Sequence, residues 1–392
     1  MEKNNGDYGQ EKKRNKLLYC RHITRYTTDV LTSDIHYIIG LSFFEGIGPA
    51  RYKLLTDYFG SAREVFGASE KELLSVGLSE KLVQKFLLFR KNVKLDEVYK
   101  SINKKGIRVI TEKDALYPKE LLEIEGRPFI LYLLGKTELL TEAKKVAIVG
   151  TRKPTTYGYG REMTSVFART LAESGLTIVS GMAMGVDAIA HHEALEKNGK
   201  TIAVLGCGVD ICYPPVNYPL YQRLKEEGLI ISEFPPGMRT SKGVFPSRNR
   251  IVAGLATAVI ITEGAEKSGS LITASFGAEY GRDVYAIPGP VTSPLSYATN
   301  SLLKNGAKIA LDPTDVLTDM NISPIKKVPT NVVLSDDERK ILDLFAESHS
   351  LHIDEISRNL NTDVSRLSVQ LSILTMKGVL QEMDGGEYTI KT

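Results

Sequence analysis

The segment Phe245–Gly254 holds the residues of this chain that are best suited to binding a polyanion. It reads Phe-Pro-Ser-Arg-Asn-Arg-Ile-Val-Ala-Gly and ends a run that contains four cations and no acid from Met238 onward. The cations are Arg239, Lys242, Arg248 and Arg250. Where a loop becomes a helix, guanidinium groups and free backbone N–H groups converge, and phosphate suits both. A solvated basic loop with one salt-bridged arginine is the alternative that this segment alone leaves open.

Short turns rich in small residues occur elsewhere in the sequence. The first is Gly150-Thr151-Arg152, and Ser180–Asp187 reads Ser-Gly-Met-Ala-Met-Gly-Val-Asp. Two more are Gly206-Cys207-Gly208 and Ser268-Gly269-Ser270. Small residues let a backbone-bound anion approach closely, while serine hydroxyls and helix amides supply neutral donors. We expect these turns to share one anion site with the arginines if the fold brings them together.

The turns follow short apolar runs that alternate with amphipathic helical segments. Such runs are typical of strands buried on both faces, and helical crossovers imply a parallel sheet with right-handed connections. The predicted strands are 146–149, 176–179, 201–205, 229–232, 258–262 and 283–287, with a weaker one at 308–311. The predicted fold class is α/β, with a central Rossmann-like, doubly wound parallel sheet. Ligands of such sheets bind beyond the carboxyl ends of the strands, where these turns lie.

This arrangement predicts a groove that follows several phosphates along one edge of the sheet. The predicted DNA- or phosphate-binding residues are Gly150, Arg152, Ser180, Gly181, Lys242, Phe245, Arg248, Asn249, Arg250, Ser268, Gly269 and Ser270. Lys153 and Lys267 are secondary candidates that are equally consistent with solvated lysines. Phe245, Tyr157 and Tyr159 could stack on an unpaired base, although each aromatic residue alone is also typical of packing.

Composition sets limits on the partner and the compartment. A formal charge of +3 over 392 residues neither demands nor excludes a polyanionic partner, so any basic site must be local. Three scattered cysteines without a Cys-X-X-Cys pair favour a reducing compartment, and the cytoplasm fits. No window reaches the roughly 18 apolar residues of a membrane span, and the N-terminus lacks the apolar core of a signal peptide.

Enzymatic interpretations lack the residues that they require. The sequence has no Gly-X-X-X-X-Gly-Lys-Ser/Thr loop, no Gly-X-Gly-X-X-Gly after the first predicted strand and no Gly-X-Ser-X-Gly elbow. Asp187, His191 and His192 share roughly one helical face but have no further ligand at a convincing spacing. We therefore predict a capping aspartate with histidines on the helix surface, no metal and no cofactor.

Changes in pattern divide the chain into five segments. Residues 1–33 are predicted to be a disordered basic tail, and residues 34–105 a helical domain. Within the latter, Glu45–Ala50 resembles the turn of a helix-hairpin-helix (SAM-like) domain, though an ordinary helix-helix turn fits too. Residues 106–320 hold a connector and the Rossmann-like domain, and 321–334 a linker. Residues 335–392 have a winged-helix-like pattern whose candidate recognition helix carries only Arg366 and Lys377, which favours protein docking or a structural role over DNA reading.

Taken together, the motifs resemble those of the DNA-processing protein A family (DprA, also called Smf). The matching pieces are Gly150–Arg152, Ser180–Asp187, Phe245–Arg250, Ser268–Thr273 and Ile287–Gly289, within a resemblance that covers about residues 35–317. The resemblance implies a protein without enzymatic activity that binds single-stranded DNA, forms a homodimer and helps load RecA recombinase on incoming strands during natural transformation. It also implies phosphate-binding roles for Arg152, Ser180, Gly181, Arg248 and Arg250, and for the Ser268–Ser270 turn.

A nucleotide-processing enzyme is the alternative from another class. A related Rossmann-like superfamily includes phosphoribohydrolases, which use a Pro-Gly-Gly-X-Gly-Thr-X-X-Glu loop. The corresponding strand end here reads Thr262-Glu263-Gly264-Ala265-Glu266, which does not match. Glu263 could still act as a general acid or base if it were buried, but capping a helix or pairing with an arginine is the simpler expectation.

Overall fold

The computed structural model describes residues 34–155, 159–241, 243–323, 334–346, 350–383 and 385–390. The predicted tail, most of the predicted linker, Lys242 and Tyr157 lie outside the described residues. The chain divides into two compact units, one up to Asn321 and one from Ile322 onward. No helix in the described ranges is long and apolar enough to cross a membrane.

The first unit begins with helices and continues as alternating strands and helices. Its helices are α1 (34–43), α2 (Pro49–Phe59), α3 (Ala62–Gly67), α4 (Glu70–Ser75), α5 (Glu80–Asn92), α6 (Leu95–Lys104), α7 (Lys119–Leu122), α8 (Tyr159–Glu173), α9 (Val186–Glu196), α10 (Tyr218–Glu227), α11 (Val244–Leu255), α12 (Gly269–Glu279), α13 (Tyr297–Lys304) and α14 (Pro313–Asp319). Its strands are β1 (Arg108–Thr111), β2 (Ile130–Gly135), β3 (Lys145–Val149), β4 (Thr177–Ser180), β5 (Thr201–Val204), β6 (Leu229–Ser232), β7 (Ala258–Ile261), β8 (Asp283–Ala286) and β9 (Lys308–Ile309). Short 3₁₀ turns cover Thr137–Thr141, Pro215–Asn217 and Pro294–Ser296.

Among the described residues, nine strands form one sheet in the order β1-β2-β6-β5-β4-β3-β7-β8-β9. All seven strands from β3 to β9 are parallel, as the sequence predicts, and the strand order reverses between β3 and β7. The predicted connector contains two further strands, because β1 pairs antiparallel with β2, and β2 pairs antiparallel with β6. The sheet is therefore mixed but mostly parallel.

The central strands are buried on both faces, and their side chains alternate between two cores. In β6, Ile230 packs in the core formed with the N-terminal helices, whereas Leu229 and Ile231 pack in the core on the other face, which includes α11 residues such as Ile251. Alternation with period two is what a strand imposes on its side chains. Burying each such leucine or isoleucine contributes about 1.5–3 kcal/mol. This double burial fixes the register and hence the positions of the strand ends.

The N-terminal helices pack directly on the sheet. Tyr52 of α2 stacks on Phe129 with ring centroids 3.9 Å apart, and the hydroxyls of Ser42 and Tyr132 lie 2.6 Å apart. Between α1 and α2, Gly46 has a φ of 123°, and Nη1 of Arg51 donates to its carbonyl at 2.6 Å. The predicted division near residue 105 thus falls between α6 and β1, inside the first compact unit. DNA contact at this turn stays a prediction.

The second unit has the helices and hairpin of a winged helix. It contains α15 (Asp336–Asp343), a 3₁₀ turn (Leu344–Ala346), β10 (Ser350–His352), α16 (Ile353–Leu360), α17 (Val364–Met376), β11 (Leu380–Glu382) and β12 (Glu387–Ile390). The three strands pair antiparallel in the order β10-β12-β11. Both cations of the predicted recognition helix face acids of α15: Nζ of Lys377 lies 2.6 Å from Glu338, and Arg366 lies 3.6 Å from Asp337.

Candidate nucleic-acid interface

A cleft of about 850 Å³ lies beyond the carboxyl ends of the parallel strands, beside the switch point between β3 and β7. Its walls come from the turns after β3 and β4, the first turns of α11 and α12, and the segment after β7. Eight predicted site residues line it, namely Gly150, Arg152, Phe245, Arg248, Asn249, Ser268, Gly269 and Ser270. The strand ends therefore bring together residues that are more than 100 positions apart in sequence.

The cleft is lined by more cations than acids. Arg152, Lys153 and Lys267 are exposed on its lining, and none of them forms a salt bridge within the described residues. Arg248 is the fourth cation, and Asp187 is the one acidic side chain among the described lining residues. The two secondary lysine candidates of the sequence thus join the predicted arginines, and the local excess of positive charge suits an anion.

Arg248 is held below the surface of the cleft. The residue is only 5% exposed, and its Nη1 lies 3.8 Å from Oδ2 of Asp187. Its Nε is buried and has no hydrogen-bond partner in the described part of the chain. Burial lowers the pKa of the Arg248 guanidinium, and repulsion from Arg152 lowers it further, while Asp187 opposes both. Because arginine stays protonated in proteins, Arg248 offers a desolvated charge with unused donor capacity.

Two glycines allow the loop after β4 to approach its neighbours. A Cβ on Gly181 would lie only 1.0 Å from Nη1 of Arg248, so the guanidinium occupies the space that a side chain would take. Gly185 has a φ of 77°, and a Cβ there would lie 2.5 Å from the Thr151 carbonyl. The small residues of Ser180–Asp187 therefore act here by making room for Arg248 and for the turn after β3.

Asp187 and His191 form a buried polar layer beneath Arg248. Oδ2 of Asp187 accepts hydrogen bonds from the backbone N–H groups of Gly181 at 3.1 Å and Ala183 at 3.4 Å. Burial raises the pKa of Asp187, although Arg248 and these bonds oppose the increase. The carboxylate thus holds the β4 loop and faces the arginine. The sequence prediction of a capping aspartate missed this role because Arg248 is 61 positions away.

His191 is fully buried, so its prediction as a surface histidine was wrong. Its Nδ1 lies 2.7 Å from Oγ1 of Thr201, which itself donates to the Ile178 carbonyl at 2.8 Å. Because the Thr201 hydroxyl has one proton, Nδ1 of His191 must be the donor to Thr201. Burial, together with repulsion from Arg248, lowers the pKa of His191 to about 3. His192, in contrast, is exposed, with Nε2 3.7 Å from Glu196.

The first turn of α12 adds neutral donors to the cleft. Oγ of Ser268 caps the helix by accepting from the backbone N–H of Ser270 at 3.3 Å, and the two hydroxyls lie 2.8 Å apart. Nδ2 of Asn249 donates to the Gly269 carbonyl at 3.3 Å and so connects α11 to α12. A helix N-terminus with hydroxyl groups beside it favours anions.

Phe245 contacts both a cation and a second aromatic ring. Cζ of Arg152 is 5.3 Å from the centroid of the Phe245 ring, and the ring of Tyr213 is 5.7 Å from it at 33°. Phe245 is half-buried, whereas Tyr213 is 40% exposed. Tyr213 was not among the predicted residues; the only hint in the sequence is an aromatic residue beside Pro214 and Pro215 in the loop after β5.

Three predicted residues of the site lie elsewhere. The Ser180 hydroxyl is fully buried and donates to the Ile148 carbonyl at 2.7 Å, which ties β4 to β3. Gly181 lies beneath Arg248. Arg250 is not among the residues lining the cleft and forms an ion pair with Glu233. Its position, two residues after Arg248, places it about 200° around the helix.

Glu263, the carboxyl group that an enzymatic alternative would need, is also engaged. It is 4% exposed and accepts a hydrogen bond from the backbone N–H of Thr155 at 3.0 Å and another from the Thr155 hydroxyl. It is not part of the cleft lining. These contacts hold the segment that follows the β3 turn, as expected of a structural carboxylate.

The fold and the cleft define a Rossmann-like protein with a cation-lined cleft at one edge of its sheet and a winged-helix unit. A family model described as DNA recombination-mediator protein A matches residues 108–321, and one for the DprA winged helix domain matches residues 326–386. The chain belongs to the DNA recombination-mediator protein A family. The family resemblance and the fold class predicted from the sequence are thereby confirmed.

Relatives and solved structures agree with this assignment. Protein Smf of Synechocystis sp. is 37% identical over 297 residues, which cover 75% of this chain and 74% of the relative. Protein Smf of Escherichia coli is 32% identical over 331 residues, which cover 81% and 87%. The X-ray structure of DNA processing protein A from Streptococcus pneumoniae has a TM-score of 0.64 at 33% identity, covering 72% of this chain and 97% of that one. A structure of DNA processing protein A from Helicobacter pylori, concerned with its single-stranded DNA binding mode, has a TM-score of 0.50 at 36% identity and covers 55% and 96%.

Proposed function

We propose that this protein binds single-stranded DNA in the cleft between β3 and β7 and acts as a recombination mediator without enzymatic activity. The observation that carries the proposal is the buried Arg248, whose Nε has no hydrogen-bond partner among the described residues and which shares the cleft lining with three exposed cations that form no salt bridge within the described ranges. Phosphates that follow one another along a strand would meet these groups in turn. The single-stranded DNA binding of the Helicobacter pylori relative supports the same ligand for this chain.

The cleft suits a single strand better than a duplex. Its cations and helix amides suit contacts with the phosphates of the DNA backbone, which give affinity without distinguishing base sequence. Phe245 adds an aromatic surface on which an unpaired base can stack, and bases in a duplex are not free to do so. We therefore propose sequence-tolerant binding with a preference for unpaired DNA.

Family membership supports a wider role. We propose that the protein loads RecA recombinase on incoming strands during natural transformation and works as a homodimer. A RecA-dependent strand-invasion assay on DNA coated with single-strand-binding protein tests the loading step. A protein that binds the oligonucleotide but never accelerates invasion by RecA would limit the proposal to DNA binding.

The binding test uses a fluorescent unstructured oligonucleotide and its duplex across a salt series. Three phosphate contacts, from Arg152, Arg248 and Lys267, would give a slope of log affinity against log salt of about −2 for a single strand. The double variant Arg152→Ala/Lys267→Ala should reduce the magnitude of this slope by about 1.4. Lys100→Ala is the matched control, because Lys100 is exposed on α6 and is not part of the cleft.

The proposal stands if the single strand binds more tightly than the duplex and if only the cleft variant loses affinity. Equal binding of both DNA forms, with the double variant and the control behaving alike, would contradict it. A panel of nucleoside monophosphates incubated with the protein should release no free base. Release of free base would instead favour the phosphoribohydrolase alternative.

A further inference from the structure

Tyr213 differs from the tyrosines that hold the fold together. Tyr221, close to it in the chain, is buried, and its hydroxyl donates to the Val209 carbonyl at 2.7 Å. Tyr117 likewise donates to the Pro128 carbonyl at 2.6 Å. Tyr213 is 40% exposed, and its hydroxyl forms no hydrogen bond within the described part of the chain. No polar bond within the described residues therefore explains the hydroxyl of Tyr213, and burial in the core does not explain its ring.

The loop that carries Tyr213 is tied down on both sides of the residue. Before it, Ile211 donates its backbone N–H to the Gly208 carbonyl at 3.0 Å. After it, Nδ2 of Asn217 donates to the Met182 carbonyl at 2.9 Å, which connects the loop to the turn after β4. The ring is thus presented from an anchored backbone, so ordering it for a ligand costs little conformational entropy.

Tyr213 extends the aromatic surface of the cleft outward. Its ring and that of Phe245 are 5.7 Å apart and inclined by 33°, and Cζ of Arg152 lies 5.3 Å from the centroid of the Phe245 ring. Of the two rings, Phe245 is the one that lines the cleft. Phe245 therefore contacts both Arg152, one of the cations of the cleft, and the more exposed ring of Tyr213.

We propose that Tyr213 stacks on an unpaired base of the bound strand, next to Phe245, and contributes to the preference for single-stranded DNA. This inference rests on the proposed function, since it requires the strand to lie in the cleft. Every base has a π-face, so stacking on Tyr213 adds affinity without sequence reading. A duplex, whose bases are already stacked and paired, cannot use this ring, and an oligonucleotide without bases cannot use it either.

The test compares a base-bearing strand with an abasic strand of the same length and charge. Tyr213→Leu should weaken binding of the base-bearing strand by about 5- to 150-fold, which corresponds to the loss of one stacked base. It should leave the affinity for the abasic strand and the salt slope unchanged, because the phosphate contacts remain. Tyr213→Phe should keep wild-type binding, and Tyr58→Leu is the matched control, since Tyr58 is 61% exposed on α2.

A strand containing 2-aminopurine gives a second readout that does not depend on affinity. Its fluorescence should be quenched on binding to the wild type and to Tyr213→Phe, and part of that quenching should be lost at saturation with Tyr213→Leu. If Tyr213→Leu weakens both strands equally, or changes neither affinity nor quenching, the stacking role is overturned. If the wild type itself shows neither salt dependence nor a preference for the single strand, the proposed function on which the inference rests is refuted instead.

Discussion

Arg250 allows a direct test of whether the two arginines of the Arg-Asn-Arg sequence have different tasks. The side chains of Arg250 and Glu233 are 10% and 9% exposed and form an ion pair. Nη1 of Arg250 has no hydrogen-bond partner in the described ranges. We predict that Arg250→Met impairs stability and leaves the phosphate contacts in place.

The magnitude follows from the burial of the pair. Removing one partner leaves Glu233 as an uncompensated buried carboxylate, which costs about 3–5 kcal/mol of unfolding free energy. Replacing both partners by apolar groups of similar volume is often neutral, so Arg250→Met/Glu233→Leu should recover most of this loss. Burial already raises the pKa of Glu233 against the opposing effect of Arg250. Without Arg250 the pKa must rise further, so the loss should be largest at neutral pH and shrink as the solution is acidified and the carboxyl takes up a proton.

Urea unfolding followed by tyrosine fluorescence measures the stability, since the chain has 18 tyrosines and no tryptophan. The salt series with the single-stranded oligonucleotide measures the phosphate contacts of the folded variant. Arg248→Met is the matched comparison, and it should reduce the magnitude of the salt slope by about 0.7. The reasoning is refuted if Arg250→Met keeps its stability within about 1 kcal/mol and loses salt dependence as Arg248→Met does.

Two further predictions concern the layer beneath the cleft. Gly181→Ala should displace the Arg248 guanidinium and weaken single-strand binding about 10- to 150-fold, as expected for the loss of one charge-assisted contact. Gly67→Ala is the control, because a Cβ at Gly67 would meet nothing within 4 Å. Equal binding by both variants would contradict the inferred contact between Arg248 and the strand. The free energy of unfolding should fall as the pH drops below about 6.5 toward 3, by up to about 1.4 kcal/mol per unit, because the unfolded chain protonates His191 before the folded chain does. His191→Gln should flatten this slope in urea titrations at several pH values, and an unchanged slope would show that other groups cause it.

The parallel core was predictable because each strand is buried on both faces. The predicted strand Leu229–Ser232 matches the observed strand residue for residue, because a short apolar run between helices is typical of a strand buried on both faces. The two antiparallel strands at one end of the sheet, β1 and β2, were missed. They lie in a stretch that holds only the single turn of α7 between them, so the alternation that identified the others does not apply.

The motif residues were predictable as a group but not as individual side chains. The sequence prediction placed Arg248 and Arg250 at the start of a helix, whereas α11 begins at Val244, so both lie within it and face opposite ways. Had the helix been predicted to begin at Val244, its periodicity alone would have placed the two arginines on opposite faces. Their acidic partners could not be found in this way, because Asp187 and Glu233 come from other strand ends and only the closed sheet brings them near.

Because Arg248 is buried, its guanidinium is already positioned for an anion before any ligand binds. Desolvating a guanidinium is costly. The Asp187 carboxylate lies 3.8 Å from Nη1 of Arg248, and Nε of Arg248 has no hydrogen-bond partner among the described residues. The unbound protein therefore carries an incompletely compensated charge, held in place by Gly181 and Asp187. On the proposed function, an incoming phosphate would meet the Arg248 guanidinium in a site whose geometry is already fixed, so little of its binding energy would be spent on ordering side chains. The exposed Arg152 and Lys267 would then extend the proposed contact along the strand. If the cleft binds the strand as proposed, the small residues after β4 matter for binding because they let one buried cation lie close to the surface.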